Sequence, residues 1–155
     1  MDNLWAPWRI KYIQAKKTTG CIFCHKPRQK KDKKNYIIKR GKFVFSILNI
    51  FPYNNGHTLI VPYRHIDSLE KMHTAEIIEL FEFIKHTTKQ LKIKLKAQGF
   101  NIGLNIGKIA GAGIDKHLHV HIVPRWQADT NFMPVLTGTK IISQSLEELY
   151  SILKS

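Results

Sequence analysis

Three histidines stand at every second position of an apolar run in this sequence. The segment DKHLHVHIVPRW, residues 115–126, contains His117, His119 and His121 with apolar residues between and after them. Successive side chains of a β-strand point to opposite faces, so the three imidazoles would share one face, about 7 Å from one to the next. The spacing predicts a strand over 117–124 that presents the histidines on one side and packs its apolar side on a core.

Three imidazoles on one strand face allow three interpretations. They can form the solvated face of an edge strand. They can also bind a metal ion, but only if the strand bends or another ligand converges, because neighbours on a flat strand lie too far apart. Thirdly, neutral imidazole exists at pH 7 and attacks phosphorus, while a second imidazole holds its tautomer or protonates a leaving oxygen. The preceding segment GKIAGAG, 107–113, offers backbone N–H groups to phosphate oxygens and so favours this third interpretation.

The chain has two cysteines, Cys21 and Cys24, in the motif CIFC. A single pair is not a disulfide framework. A redox C-x-x-C motif usually opens a helix after a strand in a βαβ unit, and the pattern around CIFC does not indicate such a unit. Zinc ligation is therefore the favoured interpretation, provided that two further ligands exist.

Length and composition indicate one globular domain. The chain has 155 residues, of which 43% are hydrophobic and 10% aromatic, enough to bury a core. Its apolar runs are too short to cross a bilayer as a helix. The N-terminus MDNLWAPWRIKYI lacks the order of a signal peptide. These features predict a cytoplasmic protein with no membrane partner.

The chain is strongly basic. Its net charge is +14, and 20 of its 25 basic residues are lysine. This charge suits a polyanionic partner such as a nucleotide, a nucleic acid or an anionic membrane, but it also suits a merely lysine-rich surface. The densest run, KPRQKKDKKN at 26–35, is predicted to be an exposed loop. Charge alone does not choose among these partners.

Hydrophobic patterning predicts strands interrupted by one long helix. Two strands joined by a turn are expected in 35–52, with further strands in 54–62, 100–106 and 117–124. A helix is expected from Thr74 to about residue 97. Its core stripe would be Ile77, Leu80, Phe81, Ile84, Leu91 and Leu95. Ser145 and Glu148 predict the capping box of a short C-terminal helix. The fold class is α+β with an antiparallel sheet.

The sequence resembles the histidine triad (HIT) family, whose signature is His-φ-His-φ-His-φ-φ with φ apolar. HLHVHIV matches it at every position, and FSILNIFPYNNGHTLIVPYRHI and GFNIGLNIG extend the resemblance upstream. The resemblance implies a single α+β HIT domain over 1–155, with an N-terminal arm at 1–20. It also implies an antiparallel sheet, usually joined to its twin in a homodimer, and cleavage or transfer of nucleotidyl groups at the α-phosphate.

Three catalytic roles follow from this resemblance. The middle histidine, His119, would attack the α-phosphorus and form a nucleotidyl-histidine intermediate. His121 would contact the phosphate or support proton transfer to the leaving group. His57, in GHTLIVP, matches the fourth family histidine, which faces the same site.

The resemblance also implies a set of binding residues. Asn49 would contact the ribose, and Ile47 would line the base pocket. Asn105 would lie near the phosphate, which Gly111 and Gly113 of the glycine-rich loop would help to bind. Ile47, Asn49 and Asn105 can each be purely structural instead, and Ile47 taken alone fits ordinary core better.

The resemblance supplies the missing partners of CIFC. Zinc-bearing members of the family bind the metal with two cysteines, a P-x-x-H histidine and the first triad histidine. Here these are Cys21, Cys24, His65 and His117. A Cys₂His₂ set leaves no open position, so the zinc would be structural and would fix His117 beside the nucleophile. The alternative is four residues that pack together without a metal.

A narrower resemblance concerns the loop before the triad. LWAPWRIKYI and the segment 110–135 look like a prokaryotic HIT subgroup that includes diadenosine tetraphosphate (Ap4A) phosphorylases. Hydrolase branches usually carry Gln followed by Ser or Thr before the triad, where this chain has Gly113 and Ile114. The loop here is one residue longer than in those branches, and the loss of their Gln and Ser or Thr side chains implies room for inorganic phosphate to replace water. Trp126 and DTNF, 129–132, would close over the leaving nucleotide or contact a partner subunit.

Phosphorolysis of a dinucleoside polyphosphate is the favoured activity, with inorganic phosphate as acceptor and no redox cofactor. Hydrolysis of dinucleoside polyphosphates, or of nucleoside phosphoramidates and adenylylated compounds, needs the same histidines. A non-catalytic module that binds nucleotides or nucleic acid is a third alternative, which the intact His119 disfavours. Ala128 stands where the subgroup has glycine and leaves the substrate open.

Overall fold

Five antiparallel strands form one sheet in the computed structural model, which describes residues 20–129 and 142–155. The strands are β1 Ile37–Arg40, β2 Val44–Leu48, β3 Thr58–Pro62, β4 Gly99–Leu104 and β5 Val120–Arg125. Their spatial order is β1-β2-β3-β5-β4, so β1 and β4 form the two edges. The predicted hairpin in 35–52 is confirmed as β1 and β2. The N-terminal arm and most of DTNF lie outside the described residues.

Four α-helices pack around this sheet in the described part of the chain. They are α1 Ile22–Arg28, α2 Asp32–Asn35, α3 Thr74–Leu95 and α4 Leu146–Lys154, with 3₁₀ turns at Leu69–Lys71 and Lys108–Ala110. The Ser145 side chain accepts the Glu148 N–H, as the predicted capping box requires. The fold is α+β, as predicted. Within residues 20–129 and 142–155, no helix has the length and apolar character needed to cross a membrane.

The two faces of the sheet have separate cores. One core packs strand residues such as Val44 and Ile122 against α3 and α4. The other packs Phe45 and Leu59 against Phe23 of α1. Since side chains alternate along a strand, His121 lies on the α1 side while its neighbour Ile122 lies in the α3 core.

The predicted core stripe of α3 is confirmed at Leu80 and Leu91, which are buried, and at Ile84 and Leu95, which pack partly buried against the core, but it was wrong at Ile77 and Phe81. Ile77 and Phe81 are 38% and 64% exposed. The inward positions are Glu76, Leu80, Phe83, Thr87 and Leu91. Two glutamates explain why the buried face includes position 76 and not positions 77 and 81. Glu76 pairs with Arg64 at 2.8 Å, and the Glu79 carboxylate accepts the N–H groups of residues 42–44. The helix begins at Thr74, as predicted, and its N-cap residue is His73.

Two further segments differ from their predictions. Residues 26–35, expected as a loop, contain the end of α1 and all of α2, because the Asn35 side chain donates to the Lys26 carbonyl and to Gln29. The strand expected over 117–124 begins only at Val120. The N–H of Leu118 donates to the Ile66 carbonyl instead of to a neighbouring strand, so His117 and His119 precede the strand.

Candidate active site and metal site

His119 is held with one ring nitrogen free of hydrogen. Its side chain is 6% exposed, and its Nδ1 lies 2.8 Å from the carbonyl oxygen of His117. A carbonyl oxygen only accepts hydrogen bonds, so Nδ1 carries the proton. In the neutral ring, Nε2 therefore has a lone pair, which is the state that a nucleophile needs.

His57 and His121 form a hydrogen-bonded pair beside His119. The backbone N–H of Tyr53 donates to Nδ1 of His57 over 3.0 Å, so the proton of neutral His57 is on Nε2. That Nε2 donates to Nδ1 of His121 over 2.9 Å. His121 in turn carries its proton on Nε2, a buried nitrogen without a hydrogen-bond partner in the described part of the chain. The His119 and His121 ring centroids are 4.9 Å apart.

Burial keeps these histidines neutral. Burial, together with repulsion from His121, lowers the pKa of His57 to about 3. Burial and repulsion from His119 lower the pKa of His121 to about 4. Burial also lowers the pKa of His119, although its hydrogen bond to the His117 carbonyl acts in the opposite direction. At pH 7 the cluster therefore presents one lone pair, on His119, and one free N–H, on His121.

Asn49 lies next to this cluster. Its Oδ1 accepts the N–H of Phe51 over 3.0 Å, which directs its Nδ2 toward Nδ1 of His57 at 3.3 Å. The backbone of Asn49 also donates to the His57 carbonyl. The structure therefore gives Asn49 a contact with His57, and its ribose contact stays a prediction.

The other predicted binding residues belong to β2, to the end of β4 and to the loop that follows β4. Ile47 is 1% exposed and packs in the core on the α1 side, so in this structure it is a core residue, and its place in a base pocket is still only predicted. Asn105 directly follows β4, whose Gly103 lies opposite His121. Gly111 adopts the left-handed backbone conformation at φ +83°, whereas Gly113 is exposed in the same loop.

Sequence reasoning missed Tyr53. Its ring centroid lies 4.7 Å from that of His57 and 5.5 Å from that of His121, nearly parallel to the latter at 12°. The side chain is 54% exposed. An aromatic residue four positions before His57, in a turn rich in asparagine, was the available signal. No residue pattern indicates that the backbone N–H of Tyr53 donates to Nδ1 of His57.

The four predicted zinc ligands converge. The ligand atoms of Cys21, Cys24, His65 and His117 all lie within 4.8 Å of one another. The contacts of His117 Nδ1 are 3.2 Å to Cys21 Sγ, 3.5 Å to Cys24 Sγ and 3.2 Å to His65 Nδ1. A tetrahedral zinc ion with bonds of roughly 2.0–2.3 Å places its ligand atoms about 3.3–3.8 Å apart. The cluster fits such an ion.

The orientation of His117 agrees with metal binding. Its Nε2 donates to the Pro62 carbonyl over 2.9 Å, so the lone pair of the neutral ring is on Nδ1, which faces the other three ligand atoms. Cys21 precedes α1, His65 follows β3 and His117 precedes β5. A metal here would connect three elements, and the carbonyl of this same His117 orients the nucleophile.

Comparison with known sequences identifies relatives over almost the whole chain. The HIT domain family matches residues 29–128. An AP-4-A phosphorylase of Mycobacterium tuberculosis is 36% identical over 162 aligned positions, which cover 99% of this chain and 83% of that protein. A bis(5′-nucleosyl)-tetraphosphatase (asymmetrical) of Schizosaccharomyces pombe is 31% identical over 60% of this chain and 50% of that protein.

Solved structures share the fold. A zinc-bound histidine triad family protein from Mycobacterium smegmatis has a TM-score of 0.70 at 26% identity, covering 87% of this chain and 91% of the other. A histidine triad nucleotide-binding protein from Sulfolobus tokodaii gives a TM-score of 0.70 at 28% identity, with 86% and 89% of the two chains covered.

Proposed function

This chain belongs to the HIT family, and we propose that it cleaves dinucleoside polyphosphates such as Ap4A at the α-phosphate through a nucleotidyl-His119 intermediate, by phosphorolysis. The observation that carries the proposal is the proton arrangement of the cluster. His119 presents a lone pair beside the free N–H of His121, which is what attack on a phosphorus atom and stabilisation of its oxygens require.

In the first step, the lone pair of His119 Nε2 forms a bond to the α-phosphorus. The bond from that phosphorus to the bridging oxygen breaks, and ATP leaves with the electron pair. The adenylylated ring is a cation, because Nδ1 keeps its hydrogen, and the His117 carbonyl that accepts this hydrogen stabilises it. Asn49 would hold the ribose, Ile47 the base, and Asn105, Gly111 and Gly113 the phosphates.

In the second step, an oxygen of inorganic phosphate attacks the α-phosphorus, and neutral His119 leaves. The product is ADP. Two features support phosphate over water. Among residues 20–129 and 142–155, a Cβ added at Gly113 would meet no atom within 4 Å, which supports room in this loop. Water must also lose a proton on attack, while His121 faces the site with an N–H and not with a lone pair.

Zinc and a second copy of the chain complete the proposal. Cys21, Cys24, His65 and His117 would hold a structural zinc ion, which would supply rigidity and no reaction step. The edge strand β4 would pair with its counterpart in a homodimer. The basic surface would attract the polyanionic substrate. We propose a cytoplasmic protein with a single domain over 1–155.

The test is product analysis of Ap4A incubated with the protein, with and without inorganic phosphate. ADP and ATP appearing only with phosphate would support phosphorolysis. AMP and ATP in both reactions would indicate a hydrolase, the activity suggested by the name of the Schizosaccharomyces pombe relative. His119→Ala should abolish turnover, while His25→Ala, which changes an exposed histidine in α1, should not.

Absence of any product would contradict the proposal. Phosphoramidates would then be tested next. A folded protein that cleaved neither class but bound nucleic acid with a steep salt dependence would be a binding module.

A further inference from the structure

We infer that Cys21 and Cys24 form a reversible oxidation site, at which a peroxide converts the zinc-binding thiolates into a disulfide, releases the metal and slows turnover. The inference rests on the structural zinc ion of the proposed function and adds a means of controlling that function. It is carried by the geometry of the two cysteines, by their access to solvent and by the contacts that join them to the nucleophile.

The two cysteines lie on one turn of backbone. The N–H of Cys24 donates to the Cys21 carbonyl over 3.2 Å, and the α-carbons across a turn closed by such a bond are about 5–6 Å apart. Disulfides join α-carbons that are roughly 4.4–6.8 Å apart. The two sulfur atoms already lie within 4.8 Å of each other. Rotation of the side chains can therefore bring the sulfur atoms to bonding distance.

The two sulfur atoms are accessible to a small oxidant. Both cysteines are half-buried, and a pocket of about 360 Å³ opens beside them. In the described part of the chain its walls are formed by Gly20, Cys21, Cys24, His25, Arg28 and Gln29. Hydrogen peroxide is little larger than water, whose share of liquid volume is about 30 Å³, so it fits in this pocket. The ligand His65 is exposed, which gives a released metal ion a path to solvent.

The oxidation balances with hydrogen peroxide as the oxidant. One thiolate attacks a peroxide oxygen, the O–O bond breaks, and a sulfenic acid forms while hydroxide leaves. The second thiolate then attacks the sulfenic sulfur, the S–O bond breaks, and a second hydroxide leaves with the electron pair. Each sulfur loses one electron and peroxide gains two. The chain has no other cysteine, so Cys21 and Cys24 are the only intramolecular partners for this reaction.

A disulfide removes the ligands on which the zinc ion depends. Zinc binds cysteine as the thiolate, and neither sulfur of a disulfide carries that negative charge. His65 and His117 alone leave half of a tetrahedral site unfilled, so the metal is released. Reduction of the disulfide restores both thiolates, and the site can bind zinc again. Transient disulfides with a regulatory role are the kind found in reducing compartments.

Two contacts carry the effect to the nucleophile. Phe23, which stands between the cysteines, is 3% exposed, and its ring centroid lies 5.1 Å from that of His119. The carbonyl of His117 accepts the Nδ1 hydrogen of His119. Once the cysteines bind each other, they no longer hold α1 to His117 through the metal, and α1 has only seven residues. A helix this short is unstable alone, so the position of His119 becomes less well defined.

The experiment treats zinc-loaded protein with hydrogen peroxide, removes the excess with catalase, and measures free thiols, released zinc and kcat for Ap4A. We expect one zinc ion to be released for each pair of thiols lost, and a digest to contain the Cys21–Cys24 disulfide. The kcat should fall at least about tenfold, as it does when the outer support of a site is lost. Dithiothreitol and zinc together should restore thiols, metal and kcat, whereas they would not reverse methionine oxidation.

Several results would overturn the inference. They are a protein that takes up no zinc, zinc retained after both thiols are lost, sulfonic acids in place of a disulfide, and an undiminished kcat of the oxidised protein. Reduced protein stripped of zinc by a chelator should show the same fall in kcat. If no preparation cleaved Ap4A, the proposed function would be wrong, while the thiol and zinc measurements would still decide the oxidation.

A matched variant tests the need for both sulfur atoms. Cys24→His keeps four ligands of kinds that zinc accepts but leaves a single thiol, so no disulfide can form within the chain. It should keep most of its zinc under conditions that empty the wild type, whereas His25→Ala, which changes a wall of the pocket and no ligand, should release zinc as the wild type does. Equal release from Cys24→His and the wild type would overturn the inference. The disulfide mapped in the wild type decides it if Cys24→His binds no zinc.

Discussion

At the scale of single residues, Ala128 adopts a backbone conformation that favours glycine. Its φ is +58°, in the turn where the Asp129 N–H donates to the Trp126 carbonyl. A left-handed conformation destabilises a residue with a Cβ by about 1–2 kcal/mol, a cost that glycine avoids. Part of this gain is offset, because glycine has more conformational entropy in the unfolded chain. We expect Ala128→Gly to raise the free energy of unfolding by about 0.5–1 kcal/mol in urea titration.

The matched change at Ala110 should act in the opposite direction. Ala110 ends a 3₁₀ turn on an exposed loop and is not among the residues with positive φ. Glycine at this position only adds conformational entropy to the unfolded chain, so Ala110→Gly should lower the free energy of unfolding. If Ala128→Gly were also less stable than the wild type, strain at this position would not exist.

The three triad histidines show what a residue pattern can predict. Their alternate spacing correctly indicated that His119 and His121 lie together, with centroids 4.9 Å apart. It wrongly placed His117 and His119 on the regular strand, which begins at Val120, because the contacts of His117 with Cys21 and Cys24 and of Leu118 with Ile66 are long-range. The backbone donor at Tyr53 could not be predicted, since every residue other than proline has this N–H.

At the scale of elements, helix α1 depends on what it is connected to. It has seven residues, too few to be stable alone in water. Phe23 packs it on the sheet, and a zinc ion held with His65 and His117 would join it to the ends of β3 and β5. With such an ion bound, the C-x-x-C motif would anchor the helix that covers the core of Phe45 and Leu59.

Loss of one zinc ligand should therefore release both the metal and this anchor. We expect Cys24→Ser protein to contain no zinc by elemental analysis and to lose more than about 2 kcal/mol of stability, a fraction of the roughly 10–16 kcal/mol of structural zinc sites in small peptides. His25→Ser, one residue farther along the same helix, should keep both. Wild-type protein that is stable yet free of zinc would contradict the prediction.

The positions of the helices and strands along the chain were predicted better than the faces that they bury. Some boundaries follow local signals, and the predicted N-terminal cap at Ser145 agrees with the structure, whereas the start of β5 at Val120 and the helical turns in 26–35 were not predicted. Apolar spacing identified Leu80 and Leu91 on the buried side of α3, but it did not identify Glu76, which is buried in an ion pair with Arg64, and it wrongly included Phe81, which is exposed. The partners of charged residues lie elsewhere in the chain, and a helical periodicity does not identify them.

At the scale of the whole molecule, the two edges of the sheet differ. At β1, the exposed side chains are Lys39 and Arg40, and Lys154 donates to the Ile38 carbonyl. Charged side chains of this kind protect an edge from pairing. At β4, Ile102 is 47% exposed, and a Cβ added at Gly103 would meet no atom of the described residues within 4 Å. An apolar edge of this kind, without charged side chains of its own, favours pairing with a second copy.

A charge on the β4 edge should therefore separate the copies. In a symmetric dimer, Ile102→Glu places two carboxylates near one another at the paired edges and removes apolar contact. Sedimentation at micromolar concentration should change from dimer for the wild type to monomer for the variant. Leu69→Glu introduces the same charge at a similarly exposed position, 43%, in the turn before α3, and should stay dimeric. A wild-type monomer, or an Ile102→Glu dimer of undiminished affinity, would show that β4 is not the interface.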